Sequence, residues 1–296
     1  MEIDSWALAA VVIKFFGLLA MAGVVGGSCV HLLADRLQFL QLACLRGYLL
    51  LCAALGMLMV PLSLLLQVGG INQNGLAGMF DFRMSAILLQ SALGPVLALR
   101  LTALALTPAA VWLLAPVATS VLRQRAGYAL CAMLTLLLGF SFALTGHTTT
   151  MPLAVKMLLG LHVLAVFTWI GALYPLLHLS YTSQPDKVPG LMRGFGALAL
   201  WLVAALVLAG VCVLTQLLQA PQELLNTSYG QTLLLKLAGV SALLLLAALN
   251  KLVLVPRLLV SGASALQASI RLEMAVALYV VAVTSWLTTV TGPVGA

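Results

Sequence analysis

Charge is what this chain has least of. Only 7% of its residues are Asp, Glu, Lys or Arg, and only seven of its 296 residues are acidic. A soluble domain carries roughly a quarter of its residues as charge, so a water-soluble fold is excluded. The chain also lacks a GxxxxGK[ST] loop, an HExxH pair and any CxxC pair. Those absences argue against phosphate-loop ATP hydrolysis, zinc hydrolysis of that type, a disulfide framework and a structural zinc site. All five cysteines except Cys44 fall in apolar runs, where a free cysteine behaves as a small hydrophobe. Embedded carboxylates are nearly missing. Glu273 is the one clear case, at the start of the last apolar run, with Arg271 and Arg257 close enough in sequence to pair with it. A proton-relay pump needs acids along its path, which disfavours that class.

What is present is apolar sequence. Hydrophobic residues make up 63% of the chain and its mean hydropathy is +1.17. Runs long enough to span a bilayer, about 20 residues each, lie at 6–30, 48–67, 95–118, 128–145, 153–178, 196–218, 232–254 and 273–291. The expected fold is therefore an all-α integral membrane protein with eight transmembrane helices. The first run follows an acidic start, Met1-Glu-Ile-Asp4, is long, and precedes no small-x-small cleavage site. It is expected to be a helix rather than a removed signal peptide. Arg36, Arg46, Arg123, Arg125, Lys187, Arg193, Lys251, Arg257 and Arg271 fall in connections on one side. The positive-inside rule then places both termini outside. The net charge of +7 is a topology signal spread over short loops, not a nucleic-acid surface.

The pattern is written twice. Arg46-Gly47-Tyr48 returns 147 residues later as Arg193-Gly194-Phe195, and His31 returns at the same offset as His178. Thr145-Gly146 returns as Thr291-Gly292, and Gly94 to Arg100 returns in altered form as Gly230 to Lys236. The expected organisation is a tandem 4+4 duplication, with repeats 1–150 and 151–296 in one membrane domain. Repeat interfaces are where transporters often build their sites. The outer connections near 68–94 and 219–231 both end in an apolar stretch and a glycine, which suggests surface-lying segments that turn into the next span. Pro152 suits a first helical turn, Pro175 kinks the fifth span, and Pro256 marks the expected end of the seventh.

Soft and borderline metal ligands are the remaining chemistry. Thioether and thiolate suit Cu(I), and imidazole accepts either copper state. His147 sits in Thr145-Gly-His-Thr-Thr-Thr-Met151 after the fourth span, and His162 lies in the fifth. Eleven helical positions separate Met151 from His162, about 20° beyond three turns, so a helix reaching back to Met151 would align them. An outer site of His147, Met151 and His162 follows, against a plainer reading as loop, interface and helix contacts. His31 and His178 end the first and fifth spans at matching positions, either as an inner site or as helix-end cations. Cys52 and Met59 share a face of the second span, and Met57 points away. Arg100 and Lys236 are repeat equivalents about 9 Å inside their helices at 1.5 Å per residue. They read as snorkelling cations, or as a gate or anion anchor.

At these residues the chain resembles a known family. Leu161-His-Val-Leu-Ala-Val-Phe-Thr-Trp-Ile-Gly171 is similar to a His-x6-Trp-x-Gly signature. Tyr229 to Lys236, Leu249-Asn250-Lys251, Pro256-Arg257, Leu144 to His147 and Arg271-Leu-Glu273 also match. Together they resemble the CopD/PcoD copper-resistance family of eight-helix inner-membrane proteins, over essentially the whole chain and most strongly from 140 to 290. The resemblance implies copper handling at a bacterial inner membrane, with uptake from the periplasm alongside a CopC-type copper-binding partner. It carries over His147 and His162 as copper ligands, and Trp169 and Gly171 as packing around them. Lys236, Asn250 and Glu273 carry over as signature residues without an assigned role.

The leading expectation is a copper permease, not an enzyme, whose His and Met sites pass Cu(I) or Cu(II) across the bilayer. A homo-oligomer is compatible with it. One alternative is a membrane b-type cytochrome, with His147/His162 and His31/His178 as haem ligands. Another is a non-transporting adaptor whose histidines recruit a copper chaperone.

Overall fold

The computed structural model describes residues 5–115, 120–144, 152–181, 184–217 and 223–291. Among these residues the chain is all helical. Eight helices are long and apolar enough to cross a membrane: Ser5–Arg36, Leu42–Asn72, Leu93–Leu113, Val121–Leu144, Leu153–Ser180, Val188–Val211, Ser228–Leu258 and Ser264–Thr291. Each follows an apolar run of the sequence, because a chain in hydrocarbon must satisfy its backbone internally. Large apolar side chains such as Leu51, Leu58, Trp201, Leu245 and Leu252 stay exposed on the bundle surface. Lipid rather than water is the solvent that tolerates them, and the chain is a multi-pass membrane protein.

The helices are α1 (Ser5–Arg36), α2 (Leu42–Asn72), α3 (Phe82–Gln90), α4 (Leu93–Leu113), α5 (Val121–Phe140) and α6 (Leu153–Ser180). They continue as α7 (Val188–Leu217), α8 (Glu223–Asn226), α9 (Ser228–Leu249), α10 (Val255–Ser261) and α11 (Ser264–Trp286). Helices α1 and α6 are central. Helix α1 packs on α2, α5, α6 and α11, and α6 packs on α1, α5, α7 and α11. Helix α4 bridges α2 and α5, while α9 lies on α11.

Two glycines set the central crossing. A Cβ on Gly171 would run into the Ala22 carbonyl, and a Cβ on Gly26 would run into the backbone of Gly171 and Ala172. Without a hydrophobic drive between helices in lipid, association rests on such close backbone approach at small residues. Around the crossing the cores exchange partners. Val24 and Val25 pack with α2, α4 and α5, whereas Val30 and Ala34, further along α1, pack with α6, α7 and α11.

The surface segment expected before the third span is α3. Asp81 caps it, its Oδ1 accepting from the Arg83 and Met84 amides at 2.9 and 3.1 Å. Those bonds, the Met84 amide foremost, hold the Asp81 carboxyl below the usual carboxylate range. Gly94 then makes the turn into α4, since any Cβ there would overlap the Leu89 carbonyl.

The seventh span ends at Leu258, near Pro256 as expected, but it runs through the proline by way of a π turn at Asn250–Leu254 that leads into α10. Pro256 has no N–H for the Leu252 carbonyl, and the widened turn absorbs the missing bond.

Candidate functional site

Three polar constellations sit within the apolar bundle. The first lies between α1 and α5. His31 is 1% exposed. Its Nδ1 lies 3.4 Å from the Tyr128 hydroxyl, which donates to Asp35 Oδ2 at 2.8 Å. The Gln124 amide also donates to Asp35 Oδ2, at 2.7 Å. Because the Tyr128 proton is committed to Asp35, the His31–Tyr128 contact requires the proton on Nδ1. His31 Nε2 then carries a bare lone pair, and it is buried without a partner. An imidazole oriented through its other nitrogen in this way is what metal coordination uses.

The second constellation joins α6, α7 and α9. His162 hydrogen-bonds the Leu206 backbone and has Lys236 as its charged neighbour. A Cβ on Gly210 would sit 3.9 Å from His162 Cε1, so α7 leaves space beside the ring. His162 Nδ1 is buried without a partner. Each histidine thus keeps one unused ring nitrogen.

The third constellation ties α6, α9 and α11 together. The Trp169 indole donates to Glu273 Oε1 at 2.7 Å, and the Asn250 amide donates to Glu273 Oε2 at 2.8 Å. Glu273 is 3% exposed. The expected pairing with Arg271 or Arg257 gives way to these neutral donors, and both arginines are exposed. On α11 Glu273 faces the bundle interior, whereas the arginines stay outside, where their charge is solvated. Spacing along the sequence could not reveal this, since Trp169 and Glu273 are 104 residues apart.

A cavity of about 200 Å³ lies at the α1/α6 crossing, lined by Ala22, Tyr48, Cys52, Gly171 and Tyr174 among others. Tyr48 donates to the Gly171 carbonyl at 3.2 Å and is hydrogen-bonded with Cys52. Tyr174 stacks with both Tyr48 and His178, with centroids 5.3 and 6.2 Å apart. Cys52 and Met59 are both 8% exposed and Met57 is 39% exposed, in keeping with the helical spacing.

The remaining expected residues fall as follows. His147 and Met151 lie outside the described residues. Among the described residues no group of three or more His, Cys, Asp or Glu converges on a metal-sized site. His31 and His178 are not drawn together: His31 faces Tyr128, and His178 is half-buried against Tyr174. The repeat equivalents Arg100 and Lys236 also differ. Arg100 donates from Nε to Ser141 Oγ at 3.0 Å and lies 4.1 Å over the Phe142 ring, whereas Lys236 borders His162. The His31–Tyr128–Asp35 relay was missed in the sequence. Tyr128 and Gln124 do fall one turn apart on α5, and that spacing was the available signal.

Residues 189–287 match the family model described as copper resistance protein D. The matched segment contains Lys236, Asn250 and Glu273, so the resemblance read in the sequence holds there. No curated protein and no solved structure matches the chain.

Proposed function

We propose that this protein carries copper across a bacterial inner membrane, inward from the periplasm, in copper homeostasis or resistance. The observation that carries this reading is the pair of unused imidazole nitrogens. His162 Nδ1 and His31 Nε2 are both buried without partners, in a chain whose residues 189–287 match a copper-resistance family. Imidazole is a good copper ligand in either oxidation state. A buried acceptor left unpaired costs about 1–3 kcal/mol, so a transient metal bond offsets a standing penalty.

The order of the sites follows from helix rise. His162 precedes Gly171 by nine residues and His31 follows Ala22 by nine, about 14 Å each at 1.5 Å per residue. The central cavity therefore lies between the two histidine levels, with the Cys52 sulfur on its wall. In this reading copper enters from the outer end and meets the His162 site first; His147 and Met151 are ligands that the sequence alone offers for it. It passes the crossing and leaves past His31, each site holding it weakly enough to release it. Lys236 beside His162 raises the electrostatic cost for a cation and acts as a gate. His178 stacks on Tyr174 at the inner end without serving as a ligand, and Trp169 and Gly171 hold α6 in place. Both termini lie outside, and a periplasmic CopC-type protein supplies the metal. A duplicated origin accords with this arrangement, because the offset of 147 pairs Gly171 with Val24, which lies between the Ala22 and Gly26 positions that meet Gly171.

The test is copper accumulation in proteoliposomes under reducing and oxidising conditions, comparing wild type with His31→Ala and His162→Ala. Copper-selective uptake lost in both variants supports the permease, and the redox comparison names the ion. Copper binding without uptake in the wild type would make the protein a receptor instead.

A further inference from the structure

Glu273 poses a charge-balance problem that copper transport does not use. Its carboxylate sits within a membrane-spanning helix, and its hydrogen-bond donors, Trp169 and Asn250, are neutral. The ionisable groups on the surrounding elements turn elsewhere. Lys251 donates to the Gly196 carbonyl at 3.1 Å and Arg193 donates to the Pro189 carbonyl at 3.1 Å. Arg257 on α10 and Arg271 on α11 are exposed. On α1 His31 faces Tyr128, and on α6 His178 faces Tyr174. A buried charge without a counter-charge is costly. Two buried oxygens, Asn250 Oδ1 on the amide that binds Glu273 and Ser269 Oγ on α11, have no partner. Ser269 is 8% exposed and stands four residues before Glu273, on the same face of α11.

We propose that Glu273, Asn250 and Ser269 form a proton-binding site inside the membrane, distinct from the route of the metal. All three offer oxygen, which suits hard cations and not Cu(I). Binding is a simple exchange. A proton joins Glu273 Oε2, the Asn250 Nδ2–H bond to that oxygen breaks, and the amide turns so that Oδ1 accepts the new O–H. Release of the proton reverses each step. Asn250 opens the π turn of the seventh span, so its amide rotation acts where the helix is already widened. The site stands on this geometry alone; its role, driving metal movement with protons, rests on the transport reading.

The experiment is infrared difference spectroscopy on the full-length protein in liposomes, titrated in H₂O and D₂O. A carboxylic C=O band should grow as pH falls, shift on deuteration and be lost in Glu273→Gln. Asn250→Ala should move the band by removing its acceptor, and this variant serves for assignment if Glu273→Gln does not fold. Copper uptake by Glu273→Gln should no longer respond to an imposed pH gradient. No protonation-dependent band from Glu273 while the protein stays folded would overturn the site, as would a band governed by sodium at fixed pH. An intact band with no copper uptake by the wild type would support the site and sink the transport reading instead.

Discussion

Gly171 of α6 lies against the Ala22 carbonyl of α1 so closely that a single methyl group would not fit. The two central helices therefore meet backbone to backbone, and the contact is rigid on both sides. Gly171→Ala has to push α1 away, and overpacking of this kind costs about 1–3 kcal/mol. Gly47→Ala is the matched control, because a Cβ at Gly47 meets nothing within 4 Å. Thermal unfolding in detergent should show a lower midpoint for Gly171→Ala and none for Gly47→Ala. Equal midpoints would mean the crossing can slide.

The indole of Trp169 is the donor that ties α6 to α11. Trp169→Phe keeps the ring in place and deletes the N–H bound to Glu273 Oε1. Losing a hydrogen bond to a charged group costs about 1.5–3 kcal/mol. The loss should shrink when Glu273 is first changed to Gln, because the charge-assisted part is then gone. A double-mutant cycle on unfolding free energy measures this, and strict additivity would show that the pair is uncoupled.

His31 and His178 should separate functionally although the repeat equates them. His31 holds an unused nitrogen behind a Tyr128–Asp35 relay, whereas His178 is a half-buried ring stacked on Tyr174. Tyr128→Phe removes the group that orients His31, and loss of such an outer partner typically weakens metal affinity 10–100-fold. His178→Phe keeps the stack and should leave copper affinity unchanged. Competition against a chromophoric Cu(I) chelator reads both variants, and a Tyr128→Phe value equal to wild type would remove the relay from the site.

The eight spans were legible because apolar runs of bilayer length have few alternatives in lipid. Their edges were less so. The fourth span begins at Val121 rather than 128, since Arg123, Gln124 and Arg125 extend the helix without adding apolar signal. The seventh ends near Pro256 as expected but runs through the proline on a π turn, and no local pattern announces that turn. Cys52, Met57 and Met59 were readable from helical spacing alone. Glu273 was visible as an embedded acid, but its partners Trp169 and Asn250 come from other helices 104 and 23 residues away. Contacts between helices depend on how the bundle crosses, and that is set by side-chain fit at places such as Gly26 and Gly171.

Acid should loosen the surface helix α3 before it affects the spans. The Asp81 carboxylate accepts from the Met84 and Arg83 amides, which lowers its folded-state pKa below the unfolded value. A depressed carboxylate pKa contributes stability that is fully present above the unfolded pKa and is lost as pH falls through the folded one. The cap is therefore intact at neutral pH and fades only in acid. Asp81→Asn keeps an oxygen acceptor that does not titrate, so it should remove the pH dependence while leaving α3 formed. Hydrogen exchange of the α3 amides, followed as pH is lowered and corrected for intrinsic rates, distinguishes the two. Acid-induced loss of protection that persists in Asp81→Asn would place the sensitive group elsewhere.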